Sequence, residues 1–197
     1  MTELVETVSG RVAGIPGEIS VFKGIPFAAP PLGPLRWRPP APVKPWPGVR
    51  PAIEAGPDPM QVPLPVGAPR TRPMSEDCLT LNIWTPASRG GEPLPVMVWI
   101  PGGSFVAGSG ADPMCDGEKF ARKGIVLVTI NYRVGLFGFL AHPALTAESE
   151  HHASGNYGLL DQIAALQWVR DNIAAFGGNP NRVTVIGVSA GSASIRC

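Results

Sequence analysis

Three stretches of this chain are continuously apolar: Pro95-Val-Met-Val-Trp-Ile100, Ile125-Val-Leu-Val-Thr-Ile130 and Val183-Thr-Val-Ile186. Each is short and rich in branched residues, the pattern of strands buried on both faces. Leu79-Thr-Leu-Asn-Ile-Trp84 alternates and reads as a further strand. Residues 4–30 read as short strands with a turn at Gly14-Ile-Pro-Gly17. One segment has helical period: Leu159, Ile163, Leu166, Val169, Ile173 and Phe176 recur at steps of three and four. Gly177-Gly178 follows, where a left-handed cap ends a helix at least cost. A helix between apolar strands implies a crossover, so the pattern predicts an α/β fold with a mainly parallel sheet. Neither an internal repeat nor a linker is visible, and residues 1–197 read as one domain.

Composition changes this picture in one place. Of the 24 prolines, 16 fall between Pro26 and Pro73, so that stretch is expected to be extended chain and turns wrapped around the rest. The 197 residues are enough for a real core, and 44% of them are hydrophobic, as in a globular protein. The net charge of +1 gives no electrostatic reason to expect a nucleic acid or an anionic membrane as partner. No secretory signal follows Met1-Thr-Glu-Leu-Val-Glu6, and no apolar stretch is long enough to span a bilayer. Three cysteines, Cys78, Cys115 and Cys197, then read as reduced thiols in the cytoplasm, and their spacing does not suit zinc.

The chemistry sits behind the last apolar run. Gly187-Val188-Ser189-Ala190-Gly191 has the form G-x-S-x-G. Such a motif needs a strand before it and a helix after it, so that the serine stands on a strained turn with Oγ exposed. Val183–Ile186 supplies the strand, and Gly187 and Gly191 let strand and helix approach without a Cβ in the way. Small residues are common in turns, and the motif alone is a weak signal. A second element fits the same chemistry: Pro101-Gly-Gly-Ser-Phe105 directly follows an apolar strand. Acyl transfer develops negative charge on a carbonyl oxygen, and backbone N–H groups aimed at it stabilise that charge.

Several further segments stand in a familiar order. They are Phe22-Lys-Gly-Ile-Pro-Phe-Ala-Ala-Pro-Pro31, Ser75-Glu-Asp-Cys-Leu-Thr-Leu-Asn-Ile-Trp84, Asn131-Tyr-Arg-Val-Gly135 and Gly155-Asn-Tyr-Gly-Leu-Leu-Asp-Gln162, followed by the elbow. Together they make the chain resemble the N-terminal part of a type-B carboxylesterase, the family of bacterial para-nitrobenzyl esterases, mammalian carboxylesterases and cholinesterases. The resemblance implies an α/β-hydrolase fold and hydrolysis of a small-molecule carboxylic ester through an acyl-enzyme, with no metal or organic cofactor. It assigns the nucleophile to Ser189 and the oxyanion donors to the backbone N–H groups of Gly103, Ser104 and Ala190. It matches Arg36 and Glu76 to a structural ion pair.

The resemblance also sets out departures. In the family an acid and a histidine follow the serine, whereas only Gly191-Ser-Ala-Ser-Ile-Arg-Cys197 follows here. The expectation is a fold truncated after the elbow, whose missing C-terminal half carries the rest of the triad. Its last strand, Val183–Ile186, is then an unpaired edge, and the isolated chain is expected to be poorly soluble or partly molten. The competing expectations are an inactive remnant or cholinesterase-like interaction module, and a different α/β-hydrolase such as a lipase or peptidase. His142 lies in a turn sequence and His151-His152 in a polar loop, so none is assigned as base. Asp161, inside the helix, reads as an anchor of helix to loop in preference to a catalytic acid. Cys78 stands where secreted members have a disulfide-bonded cysteine, without its upstream partner, and reads as a small buried apolar residue like Cys115. Val188 replaces the glutamate common in the elbow, and Pro101 and Ser104 replace residues common in the oxyanion loop. The loop from Gln61 to Asp77 holds no aromatic residue to grip a quaternary ammonium, so a general ester hydrolase is expected instead of a choline esterase.

Overall fold

The computed structural model describes residues 2–62, 72–87 and 91–197. It begins with an antiparallel pair, β1 (Glu3–Thr7) and β2 (Gly10–Gly14). The expected turn after Gly14 is present: Ile15 and Val21 exchange backbone hydrogen bonds of 2.8 and 2.9 Å as the chain enters β3 (Ile19–Pro26). Among its described residues, the proline-rich stretch and its approach to β7 then carry only a 3-10 turn at Gly33–Leu35 and three short strands, β4 (Val49–Pro51), β5 (Asp58–Pro59) and β6 (Met74–Ser75). β4 adds to β2, and β5 pairs with β6, both in parallel. Proline explains the brevity, since each one removes an N–H that a ladder needs.

The central sheet holds β7 (Thr80–Pro86), β8 (Leu94–Ile100), β9 (Val126–Ile130) and β10 (Gly178–Gly187) together with β3, in the order β10-β8-β9-β7-β3. The three apolar runs lie on β8, β9 and β10 and the alternating one on β7, as read from the sequence. The expected mainly parallel sheet is corrected to a mixed one. β10, β8 and β9 run parallel, while β7 is antiparallel to β9 and β3 is antiparallel to β7. The reason is connection length. Only seven residues separate β7 from β8, too few for the crossover that a parallel return requires. Among the described residues β10 closes one end of the sheet, with β8 as its one strand neighbour.

The described residues also form five helices, in chain order α1 (Glu118–Ala121), α2 (Gly135–Phe139), α3 (Pro143–Glu148), α4 (Tyr157–Asn172) and α5 (Ala190–Ser194). α4 is the predicted amphipathic helix. It tightens into a 3-10 turn at Ile173–Phe176 and stops at Gly177 with φ 81°, the left-handed cap expected there. Its buried face, however, is rotated from the apolar stripe. Asp161, Gln162, Ala165, Trp168, Val169 and Asn172 point inward, whereas Ile163 is 50% exposed and Leu159 and Leu166 are only partly covered. The polar residues go inward because partners wait for them. Asn172 Oδ1 accepts the Val8 N–H at 2.8 Å, and Gln162 Nε2 donates to Ser194 Oγ at 3.1 Å. A satisfied polar group costs little to bury, and a count of apolar periodicity cannot register it.

The core lies between the sheet and α4. Phe22, Ile25, Leu81, Ile83, Val96, Val98, Ile100, Val128 and Ile130 are buried together with Trp168, Ile173 and Phe176. Phe22 and Phe176 meet edge to face, with centroids 4.9 Å apart. Among the described residues no helix is long and apolar enough to cross a membrane.

Candidate active site

Parallel strands deliver their C-terminal ends to one edge of a sheet, where loops can meet. β10 and β8 are in register from Val183 opposite Val96 to Gly187 opposite Ile100. The residues that follow, Val188-Ser189 on one strand and Pro101-Gly102 on the other, therefore emerge side by side. Two motifs far apart in the sequence become neighbours through this pairing alone.

The contact is close. A Cβ at Gly102 would stand 2.6 Å from the carbonyl oxygen of Val188 and 3.2 Å from Ser189 Cβ. A Cβ at Gly191 would stand 2.1 Å from the carbonyl oxygen of Ile100, and one at Gly187 would stand 2.6 Å from the carbonyl carbon of Gly191. The paired glycines thus allow strand, turn and helix to pack backbone on backbone, as the motif predicted. α5 starts at Ala190, and the Gly191 N–H donates to the Val188 carbonyl at 2.9 Å. Ser189 sits on the turn with φ 52° and ψ −119°, a region of backbone space that costs a side-chain-bearing residue free energy. Its side chain is exposed, and among the described residues Oγ has no hydrogen-bond partner.

The loop after β8 is also strained. Gly103, Ser104 and Phe105 all have positive φ, at 121°, 55° and 61°. The Gly103 carbonyl is turned inward and accepts the N–H groups of Val106 and Ala107, each at 3.0 Å. Among the described residues no acceptor takes the N–H of Gly103, Ser104 or Ala190. The structure therefore gathers all six predicted residues, Gly103, Ser104, Gly187, Ser189, Ala190 and Gly191, at one edge of the sheet. An exposed hydroxyl with unengaged backbone donors beside it is an arrangement that acyl transfer can use.

The histidines are elsewhere engaged or exposed. His142 caps α3, its Nδ1 accepting the Ala144 N–H at 3.2 Å, while His151 and His152 are exposed in the loop after α3. None is hydrogen-bonded to Ser189.

The predicted anchors take their places. Asp161 is fully buried and accepts three bonds from Arg133: Nε at 2.8 Å, Nη2 at 2.7 Å and the backbone N–H at 3.0 Å. Burial pushes its carboxyl above the usual range, and the Arg133 bonds oppose that push. Arg133 was not foreseen as the partner, although it lies within the Asn131–Gly135 segment singled out from the sequence. Its neighbour Tyr132 was missed as well. The Tyr132 hydroxyl donates to the Pro101 carbonyl at 3.0 Å, at the root of the loop carrying Gly103. Burial raises this phenol to about 12, so it stays a donor at any ordinary pH. Arg36 and Glu76 form the expected two-point pair at 2.5 and 2.6 Å, fastening the wrap to the approach of β7. Cys78 and Cys115 are buried and Cys197 is exposed. Burial pushes the Cys78 thiol up. Of the aromatic-free loop from Gln61 to Asp77, residues 63–71 lie outside the described residues.

Comparison with known proteins gives these elements a context. The carboxylesterase family model matches residues 1–197. The chain is 54% identical over 189 residues to a fumonisin B1 esterase of Sphingopyxis macrogoltabida, an alignment covering 96% of this chain and 35% of that protein. It is 47% identical over 195 residues to a cocaine esterase of Oryctolagus cuniculus, covering 94% of this chain and 35% of the relative. Among solved structures, a PNB esterase superposes with a TM-score of 0.90 at 42% identity, over 99% of this chain and 40% of that one. A carboxylesterase of Geobacillus stearothermophilus superposes with a TM-score of 0.86 at 48% identity, over 98% and 39% of the two chains. The fold is thus that of the α/β-hydrolases. The chain spans about 35% of the length of these two curated relatives.

Proposed function

The chain belongs to the carboxylesterase family, and from that premise we propose that it carries the nucleophile and the oxyanion donors of a serine-dependent carboxylic-ester hydrolase. Ser189 Oγ adds to the ester carbonyl carbon. The carbonyl oxygen takes up negative charge and accepts the N–H groups of Gly103, Ser104 and Ala190. Collapse expels the alcohol and leaves Ser189 acylated, and water then releases the acid. Each well-placed donor contributes about 3–4 kcal/mol to such a transition state. The acid and histidine that accept and return the serine proton are assigned to a further polypeptide segment, since no histidine here is hydrogen-bonded to Ser189.

The observation that carries this reading is the packing of Gly102 against Ser189, which sets the unengaged donors next to an exposed hydroxyl. The substrate class is a small-molecule carboxylic ester. Relatives named for fumonisin B1 and for cocaine support that class and nothing narrower. A fluorophosphonate probe tests the assignment, with the acid and histidine segment supplied. Labelling of the wild type and not of Ser189→Ala supports it. A folded sample that takes up no probe favours the other reading, an inactive member of the family, for which the lack of a histidine bonded to Ser189 already speaks.

A further inference from the structure

The loop that presents Gly103 and Ser104 does not stand on its own strand alone. It returns through Ala107-Gly108, and this peptide lies directly against the donor turn. A Cβ at Gly103 would meet the Ala107 carbonyl oxygen at 2.1 Å and Gly108 N at 3.2 Å, and a Cβ at Gly108 would meet the Gly102 carbonyl oxygen at 2.3 Å. Any tilt of the Ala107–Gly108 peptide therefore displaces Gly102 and Gly103 at contact distance.

One side chain fixes that tilt. Gln61, on the proline-rich wrap, accepts the Gly108 N–H on Oε1 at 2.9 Å and donates from Nε2 to the Gly108 carbonyl at 3.1 Å. Its Nε2 also donates to its own segment at the Pro59 carbonyl, at 2.9 Å. Other restraints on the loop each hold one backbone group: the Tyr132 hydroxyl on the Pro101 carbonyl, the Gly135 N–H on the Phe105 carbonyl, and Asn131 Oδ1 on the Gly110 N–H. Gln61 grips both the donor and the acceptor of a single residue. Two bonds through one planar amide fix orientation as well as position, which one bond cannot do.

We propose that Gln61 is a positioning residue, whose amide clamps Gly108 and so sets the direction of the Gly103 and Ser104 N–H groups toward the oxyanion. This inference rests on the ester-hydrolase reading for its catalytic meaning, but the clamp itself can be read without turnover. Gln61→Met keeps the length of the side chain and removes both hydrogen bonds. Gln61→Glu keeps the acceptor for the Gly108 N–H and loses the donor.

The test is residue-resolved amide hydrogen exchange on the full 197-residue chain, with the amides of β9 as the control for folding. In Gln61→Met the Gly108 amide is expected to exchange about tenfold faster. The Val106 and Ala107 amides, which bond to the Gly103 carbonyl, are expected to speed up with it while β9 is unchanged. Gln61→Glu is expected to fall between wild type and Gln61→Met at Gly108. Hydrolysis of p-nitrophenyl acetate, with the acid and histidine segment supplied, gives the second readout. Gln61→Met is expected to lower kcat about tenfold to a hundredfold with KM nearly unchanged. Unaltered exchange at Val106 and Ala107 in Gln61→Met overturns the proposal, because Gln61 then holds Gly108 without holding the donor turn. So does a rise in KM at constant kcat. If the wild type hydrolyses nothing, the ester-hydrolase reading fails at that point, while the exchange arm still decides the clamp.

Discussion

The backbone at Ser189 makes a prediction that separates strain from chemistry. With φ 52° and ψ −119° it occupies a region that glycine enters freely and other residues do not. Holding a serine there costs about 1–3 kcal/mol. Ser189→Gly releases this strain. It also adds about 0.5–1 kcal/mol of unfolded-state entropy, so from the middle of each range the net gain is about 1 kcal/mol. Ser189→Ala keeps the strained backbone and removes only an exposed hydroxyl with no partner among the described residues, so its stability stays within about 0.5 kcal/mol of wild type. Urea unfolding of the three proteins at 25 °C reads the difference directly, provided that m is unchanged. In thermal scans a chain of this size gains about 2–4 °C for each kcal/mol. The glycine variant should be the most stable of the three while being inert toward fluorophosphonate. A glycine variant no more stable than the alanine variant would refute the argument, because the turn would then store no strain in Ser189.

Three further outcomes follow from the buried polar framework. Arg133→Met leaves the Asp161 carboxyl buried without its partner and should cost about 3–5 kcal/mol by urea unfolding, whereas replacing both together, Arg133→Met with Asp161→Leu, should recover most of that loss. The phenol of Tyr132 is raised by burial to about 12 in the fold, against an ordinary value near 10. A raised folded value means that its contribution is fully present below the ordinary value and drains away as pH climbs through the folded one. Tyr132 alone should therefore remove about 1.4 kcal/mol of stability per pH unit between about 10 and 12, and Tyr132→Phe should lessen the slope by that amount. In native protein at pH 8 a thiol reagent should modify Cys197 rapidly and leave Cys78 and Cys115 unmodified until denaturant is added, since only Cys197 is exposed. Rapid modification of Cys78 would contradict the burial that pushes its thiol up.

Much of the site was legible because its parts are local. A strand, two glycines and a serine specify the elbow within nine residues, Val183 to Gly191, and Pro101–Phe105 specifies the donor loop directly behind its own strand. What brings them together is register, and both lie at strand ends, so the parallel pairing of β10 with β8 does the rest. The sheet was read as mainly parallel and is mixed, because connection length, and not apolar pattern, decides whether neighbouring strands run the same way. The face of α4 was misjudged for a related reason. Gln162 and Asn172 look like surface residues until Ser194 and Val8 are placed beside them, and Asp161, read as an anchor, did not reveal Arg133 as its partner.

That limit has a physical form. A buried polar residue is determined by its partner, and the partners here are distant in sequence: Asp161 with Arg133, Asn172 with Val8, Gln61 with Gly108. Apolar burial follows from composition and period, which a single segment displays. Hydrogen-bond satisfaction is a property of pairs, and nothing in either member announces the other. The proline-rich wrap is the extreme case. It has no period, its described residues form almost no ladder, and its sequence suggests passive covering. Yet it supplies Arg36 to Glu76 at the approach to β7 and Gln61 to the return of the donor loop. A segment with few bonds of its own is free to present side chains at whatever spacing the framework behind it needs, and the geometry around Ser189 depends on that freedom as much as on the elbow itself.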